Sequence, residues 1–179
     1  MTDPDTPIAP LDLLRRLENL LRPGTVHAVD HAAARIRVAS GDLLTDWLPW
    51  FERRAGTTRS WSPPTIGEQC LLLCPGGEMA AGLVLVGLYS DNHPAPVDEP
   101  DLHHTAYADG AVIEYDQAAH VLRASLPAGS SVNVTAPGGI TLDTPLVTVT
   151  GDVVASGISL VHHVHGGVTP GGGKTGGPQ

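Results

Sequence analysis

Between Gly129 and Ser159 the apolar residues come in alternating pairs, Val132 and Val134, Ile140 and Leu142, Val147 and Val149, followed by Val153. The pairs recur every seven or eight residues, punctuated by Gly138-Gly139, Pro145 and Gly151-Asp152. Period-two alternation specifies strand and clustered Gly, Pro, Asn and Asp specify turns, so this stretch predicts a ladder of very short strands. Ser130, Asn133, Thr135, Thr141, Thr148 and Thr150 supply a polar, β-prone outer face. Two small apolar side chains per strand cannot offset the ordering entropy of a lone chain. Repeats this short need stacking, here by intertwining with identical chains around an axis.

Upstream the pattern changes twice. In Pro10–Arg22, PLDLLRRLENLLR, leucines at 11, 14, 17 and 21 and a second row at 13, 17 and 20 have helical spacing, and Pro23-Gly24 is expected to end the helix. Such a terminal amphipathic helix packs on its own domain or docks a partner. From Gly24 to about Ser90 the pattern is that of strands. GTVHAVDHAAARIRVASG reads as a hairpin turning near Asp30-His31, and TDWLPWF, EQCLLLC and AAGLVLVGLYS supply further strands. LLLC and LVLVGL are continuous apolar runs, the mark of strands covered on both sides. About five strands with one long loop suit a small barrel of the OB type.

Composition agrees with a β-rich, turn-rich subunit. Of 179 residues, Gly and Pro contribute 37 and aromatics only 4 %, with none after Tyr115. The net charge of −9 is unevenly placed: residues 1–59 hold eight Arg against eight acids, whereas Arg123 and Lys174 face eleven acids in the rest. That distribution argues against nucleic acid as a partner. OB barrels often bind single strands through stacking aromatics and a basic groove. Trp47, Trp50, Phe51 and Trp61 beside Arg53, Arg54 and Arg59 are instead read as barrel core and contacts with neighbours. Cys70 and Cys74 fall on one face of a strand about 13 Å apart, too far for a disulfide, and read as buried thiols. The N-terminus, MTDPDTPIAP, is acidic and polar, and no run of about 18 apolar residues occurs, so synthesis in a cytoplasm without a membrane span is expected.

The chemistry lies near the end, in SLVHHVHGGV. In an extended chain His163 and His165 point the same way, about 7 Å apart. Two imidazoles are half of a metal site. The fourteen residues that follow contain no acid, cysteine or histidine, so further ligands come from upstream or from other copies. Three chains around an axis would bring six imidazoles, which suits an octahedral ion. His162 faces away on a strand, and His27, His31, His93, His103, His104 and His120 read as solvated surface. His-x-His also opens the metal sites of some β-barrel oxygenases, but there a carboxylate and a further histidine follow, and here neither does. GGGKT lacks the spacing and the following helix of a phosphate loop. The chain is not read as an enzyme.

GTVHAVD (Gly24 to Asp30), WLPWFERRAG (Trp47 to Gly56), WSPPTIGEQ (Trp61 to Gln69), CPGGEMAAGLVLVGLYS (Cys74 to Ser90), DGAVIEYD (Asp109 to Asp116) and the terminal HHVHGGVTPGGGKTGG together resemble the phage baseplate assembly protein V family. These are the central tail spikes of contractile-tailed phages, similar in turn to the tips of contractile injection machines. The resemblance spans about Gly24 to Pro178. It implies a homotrimer with an OB-fold collar, a triple-stranded β-helix and a pointed apex. There one iron ion, taken as Fe2+ and structural, is held by the two-histidine motif, here His163 and His165.

The expectation is therefore an all-β chain with a short N-terminal helix. Residues 1–23 form a docking segment, 24–95 the OB-fold domain, 96–160 the β-helical shaft, and 161–179 the metal-binding apex with a Gly-rich tail. Its expected work is mechanical: at the virion tail tip it joins tail hub and baseplate proteins through the barrel end and punctures the host outer membrane on sheath contraction. A trimeric β-helical tail fibre or adhesin is the alternative, but a receptor-binding tip should be broad and rich in aromatic loops, whereas this one tapers into glycines.

Overall fold

The computed structural model describes residues 9–167 and 171. The chain divides into two compact units, with the boundary in sequence between Ser130 and Ser131. The first is built on a five-stranded antiparallel sheet in the order β3-β2-β1-β4-β5, with β1 Leu21–Asp30, β2 Arg35–Ser40, β3 Leu43–Leu44, β4 Gln69–Leu73 and β5 Leu83–Leu88. The long β1 serves two neighbours, its first half pairing with β4 and its second half with β2, with a bulge between Val26 and Ala28. The hairpin turn forms where expected: Asp30 Oδ1 accepts the amides of Ala32 and Ala33, both at 3.0 Å.

Helix α1, Pro10–Asn19, is shorter than its leucine spacing predicts, and Pro23-Gly24 lies inside β1 instead of ending the helix. Sheet pairing outweighs helical periodicity here: the Cys74 amide donates to Leu20 O at 2.8 Å, and Leu21 to Thr25 then pair with β4. Pro23 is tolerated because this half of β1 is paired on one side only. TDWLPWF likewise makes no regular strand. Leu48 instead bonds Ile36 of β2 while Pro49 and Phe51 bond Val84 of β5, so the segment bridges β2 and the edge strand β5 and closes the barrel.

Val26, Ile36, Val38, Leu48, Cys70, Leu72, Cys74 and Val84 form the core, with Val29, Trp50, Met79 and Val86 packed against it. Both cysteines are free and buried, as their spacing predicts. One expectation needs amending. Leu83, Leu85 and Leu88 of the continuous apolar run remain exposed, so a single chain covers β5 on one face only.

A three-stranded antiparallel meander completes the first unit: β6 Leu102–Ala106, β7 Val112–Asp116 and β8 Val121–Ser125, in that order. It lies within the stretch 96–160 that the sequence reading treated as one shaft.

In the second unit the only paired strands among the described residues are β9 Val154–Ala155 and β10 Ile158–Ser159. They form a tight hairpin around Ser156-Gly157, both at positive φ. The alternating pairs upstream have no strand partner among the described residues. Every Val, Ile and Leu from Val132 to Val164 is exposed, the least by 43 %.

Candidate metal centre

The β9–β10 hairpin leads directly into the histidines. Leu160 donates its amide to Val153 O at 2.8 Å, and Asp152 accepts the Val161 amide at 3.1 Å. A hydrogen bond from the Ser159 side chain and further backbone donors hold the Asp152 carboxyl below the usual aspartate range. Ser159 Oγ in turn accepts the His162 amide at 2.8 Å, and the His163 amide donates to Ser159 O at 3.1 Å. Residues 159–163 are therefore a hydrogen-bonded turn that leads into the His163–His165 pair. The sequence does not mark Asp152 and Ser159 directly as supports. Ser156-Gly157 between two short β-prone pairs was the signal of a hairpin that would bring them together.

Beyond the turn His163 and His165 come close: their ring centroids are 5.0 Å apart, edge to face at 80°. His163 Nδ1 is 3.0 Å from both Ser159 O and Leu160 O. Carbonyl oxygens only accept, so Nδ1 is the donor in both contacts and Nε2 is the nitrogen left to face a metal. A backbone carbonyl on one ring nitrogen is the usual way in which a histidine ligand is oriented. A hollow of about 320 Å³, lined by Val153, Ala155, Ile158, Ser159, Leu160 and His163, lies beside the ring. Among the described residues no group of three or more His, Cys, Asp or Glu converges on one point. The donor set of one chain thus fits an ion only as a fraction of its shell. The Gly-rich tail beyond Gly167 lies outside the described residues, Gly171 excepted.

The other histidines follow expectation with one correction. His104 is not solvated surface: its side chain is 11 % exposed, with Nδ1 3.0 Å from Glu114 Oε2. Glu114 Oε1 also accepts Arg123 Nη1 at 3.0 Å, so a polar row crosses β6, β7 and β8. The His104 hydrogen bond, then that of Arg123, holds the Glu114 carboxyl below the usual glutamate range. This row is structural and brings no nucleophile with it.

Among the aromatics, Trp50 packs on the core and meets Trp61 at 5.6 Å, while Trp47, Phe51 and Trp61 remain exposed. Arg35, Arg54 and Arg59 border the two tryptophans around a shallow hollow of about 230 Å³. No helix among the described residues is long and apolar enough to cross a membrane.

Residues 22–89 match the type VI secretion system/phage-baseplate injector OB domain, which covers the barrel. Residues 157–179 match the GpV Apex motif, which contains His163 and His165. The chain is also similar to the spike protein of Escherichia phage P2, 38 % identical over an alignment of 162 positions that covers 83 % of this chain and 77 % of that protein.

Proposed function

From the premise that this chain belongs to the phage-baseplate spike family and is a central spike of a contractile phage tail, we propose that it acts as a homotrimer that punctures the host outer membrane when the sheath contracts. The observation that carries this reading is the exposure of every large apolar side chain from Val132 to Val164. A chain in that state lacks a core for its second unit, and identical chains wound around an axis would supply one. Interlocked chains also leave no free sheet edge along a shaft, which resists fraying under load.

In the trimer His163 and His165 of three copies would give six imidazole nitrogens in two stacked triangles. Six-coordination disfavours zinc, which prefers four ligands in structural sites. Fe2+, one ion per trimer, is the proposed occupant, in line with the resemblance of the terminal motif. With every position filled by imidazole the ion would be structural, and it would hold the chain ends together where they could otherwise splay. The Nδ1–H contacts of His163 with Ser159 O and Leu160 O support this by leaving Nε2 free.

The working parts proposed are a docking segment at 1–23, the barrel at 24–95, the shaft at 96–160 and the apex at 161–179. The barrel end would meet tail hub and other baseplate proteins, at the virion tail tip. The role is mechanical and non-enzymatic. Light scattering combined with elemental analysis of chelator-free protein tests it. The expected result is a mass of roughly three times the 18.6 kDa chain, with one iron per three chains. A folded monomer at micromolar concentration, or one ion per chain, would refute it.

A further inference from the structure

Helix α1 is mounted with its apolar side outward. Asp12, Arg16 and Asn19, spaced along one side, are its half-buried residues, whereas Leu11, Leu13, Leu14, Leu17 and Leu20 are exposed by 37 to 82 %. The inward side is satisfied as it stands: Asp12 accepts Arg15 and Arg16, each at 2.8 Å, and Asn19 Oδ1 accepts Arg22 Nη1 at 2.8 Å.

The mounting is fixed by the barrel. The Arg16 backbone lies on the turn Pro75–Gly77, and a β-carbon on Gly77 would stand 2.7 Å from both Arg16 Cα and Arg16 O. Gly77 is also at φ +75, so a glycine is required there twice over. Turning the helix to bury its leucines would lose this fit and strand Asp12 and Arg16 outside.

We propose that the leucine ridge of α1 is the surface by which the spike is seated in its tail, and that its occupant is an apolar groove on a neighbouring baseplate protein. This inference rests on the reading of the chain as a tail spike. At 100° per residue the leucines cover an arc of about half the circumference, wider than the narrow a/d seam with which equivalent helices pair. An arc that broad is covered by a groove that wraps it, the helix-in-groove mode with anchors at i, i+3/i+4 and i+7. The ridge exposes on the order of 500 Å² by the size of a leucine side chain, a large part of the ~800 Å² that each partner gives to a stable interface. Residues 1–8, which lead into it, offer only Met1 and Ile8 as large apolar side chains against its five leucines.

The test is Leu14→Gln combined with Leu17→Gln, which keeps helix propensity, in contractile tail particles purified from cells that produce them with this chain. The expected result is an unchanged mass and thermal transition for the free spike, and at least tenfold less spike in the particles by immunoblot. Leu14→Met with Leu17→Met should restore incorporation. Particles that carry the glutamine variant at the parental level would overturn the inference. So would a fall in the mass of the free variant, because a second copy would then be the occupant. Absence of the parental chain from the particles would overturn the tail-spike reading itself, and this inference with it.

Discussion

Gly24 of β1 lies so close under Val38 of β2 that a β-carbon on it would stand 2.5 Å from Val38 Cγ1 and 2.8 Å from Ala39 O. Val38 is fully buried and Ala39 contributes backbone, so neither can give way. Gly24→Ala is expected to cost about 1–3 kcal/mol as overpacking at the point where β1 passes from one partner strand to the other. A fall of roughly 5–10 °C in the thermal midpoint of the barrel, followed by circular dichroism, is the expected reading.

Burial raises the Cys70 thiol to about 11, and burial also raises that of Cys74. Neither thiolate is then populated near neutral pH, and neither sulfur is accessible. Iodoacetamide should leave the folded protein unmodified by mass spectrometry and add two carbamidomethyl groups in denaturant. Rapid labelling of the native protein would contradict the packing described for β4.

The Glu114 carboxyl, held low by His104 and Arg123, gives stability a definite pH dependence. A group whose folded value is depressed stabilises the fold above its unfolded value, and this contribution is lost as pH falls through the folded value. Glu114→Gln should therefore unfold more readily than the parent at about pH 7. The difference should be smaller at about pH 3, below the ordinary glutamate range. Urea midpoints at both pH values check this, and a difference that grows on acidification would be the wrong sign.

Truncation separates the shaft from its tail. Deletion from Pro127 onward should leave a soluble barrel that has lost the stable trimer. Deletion from Gly166 onward keeps both histidines and should leave the trimer intact. Light scattering distinguishes them, and equal assembly of the two forms would remove the shaft as the trimerising element.

The barrel was legible in the sequence because its signals are local. Asp30-His31 marks a turn, and Ile36, Val38, Cys70 and Leu72 alternate as the β period requires. The end of α1 was not legible, since the leucine rows continue past Asn19 and only pairing with β4, distant in sequence, takes Leu21 into a strand. His104 was misread for a similar reason. Its partner Glu114 is set by the register of β6 on β7, and two polar residues ten positions apart carry no such mark. His163 and His165 are legible as a pair, but the turn that carries them is not, because it depends on Asp152 and Ser159 accepting the Val161 and His162 amides.

The uncovered valines and leucines of the second unit also govern how the protein refolds. The barrel is closed by contacts within one chain, so its recovery from denaturant should follow first-order kinetics at a rate indifferent to protein concentration. The stretch from Val132 to Val164 has no such closure among the described residues, so its ordering should accelerate with concentration and lag on dilution. While it waits, it is a polar-apolar alternating segment whose only charged groups are Asp143 and Asp152 among the acids and bases. Such a segment is prone to pair with wrong partners. Yield on refolding should then pass through an optimum: too dilute and the needle remains unmade, too concentrated and it is lost to precipitate.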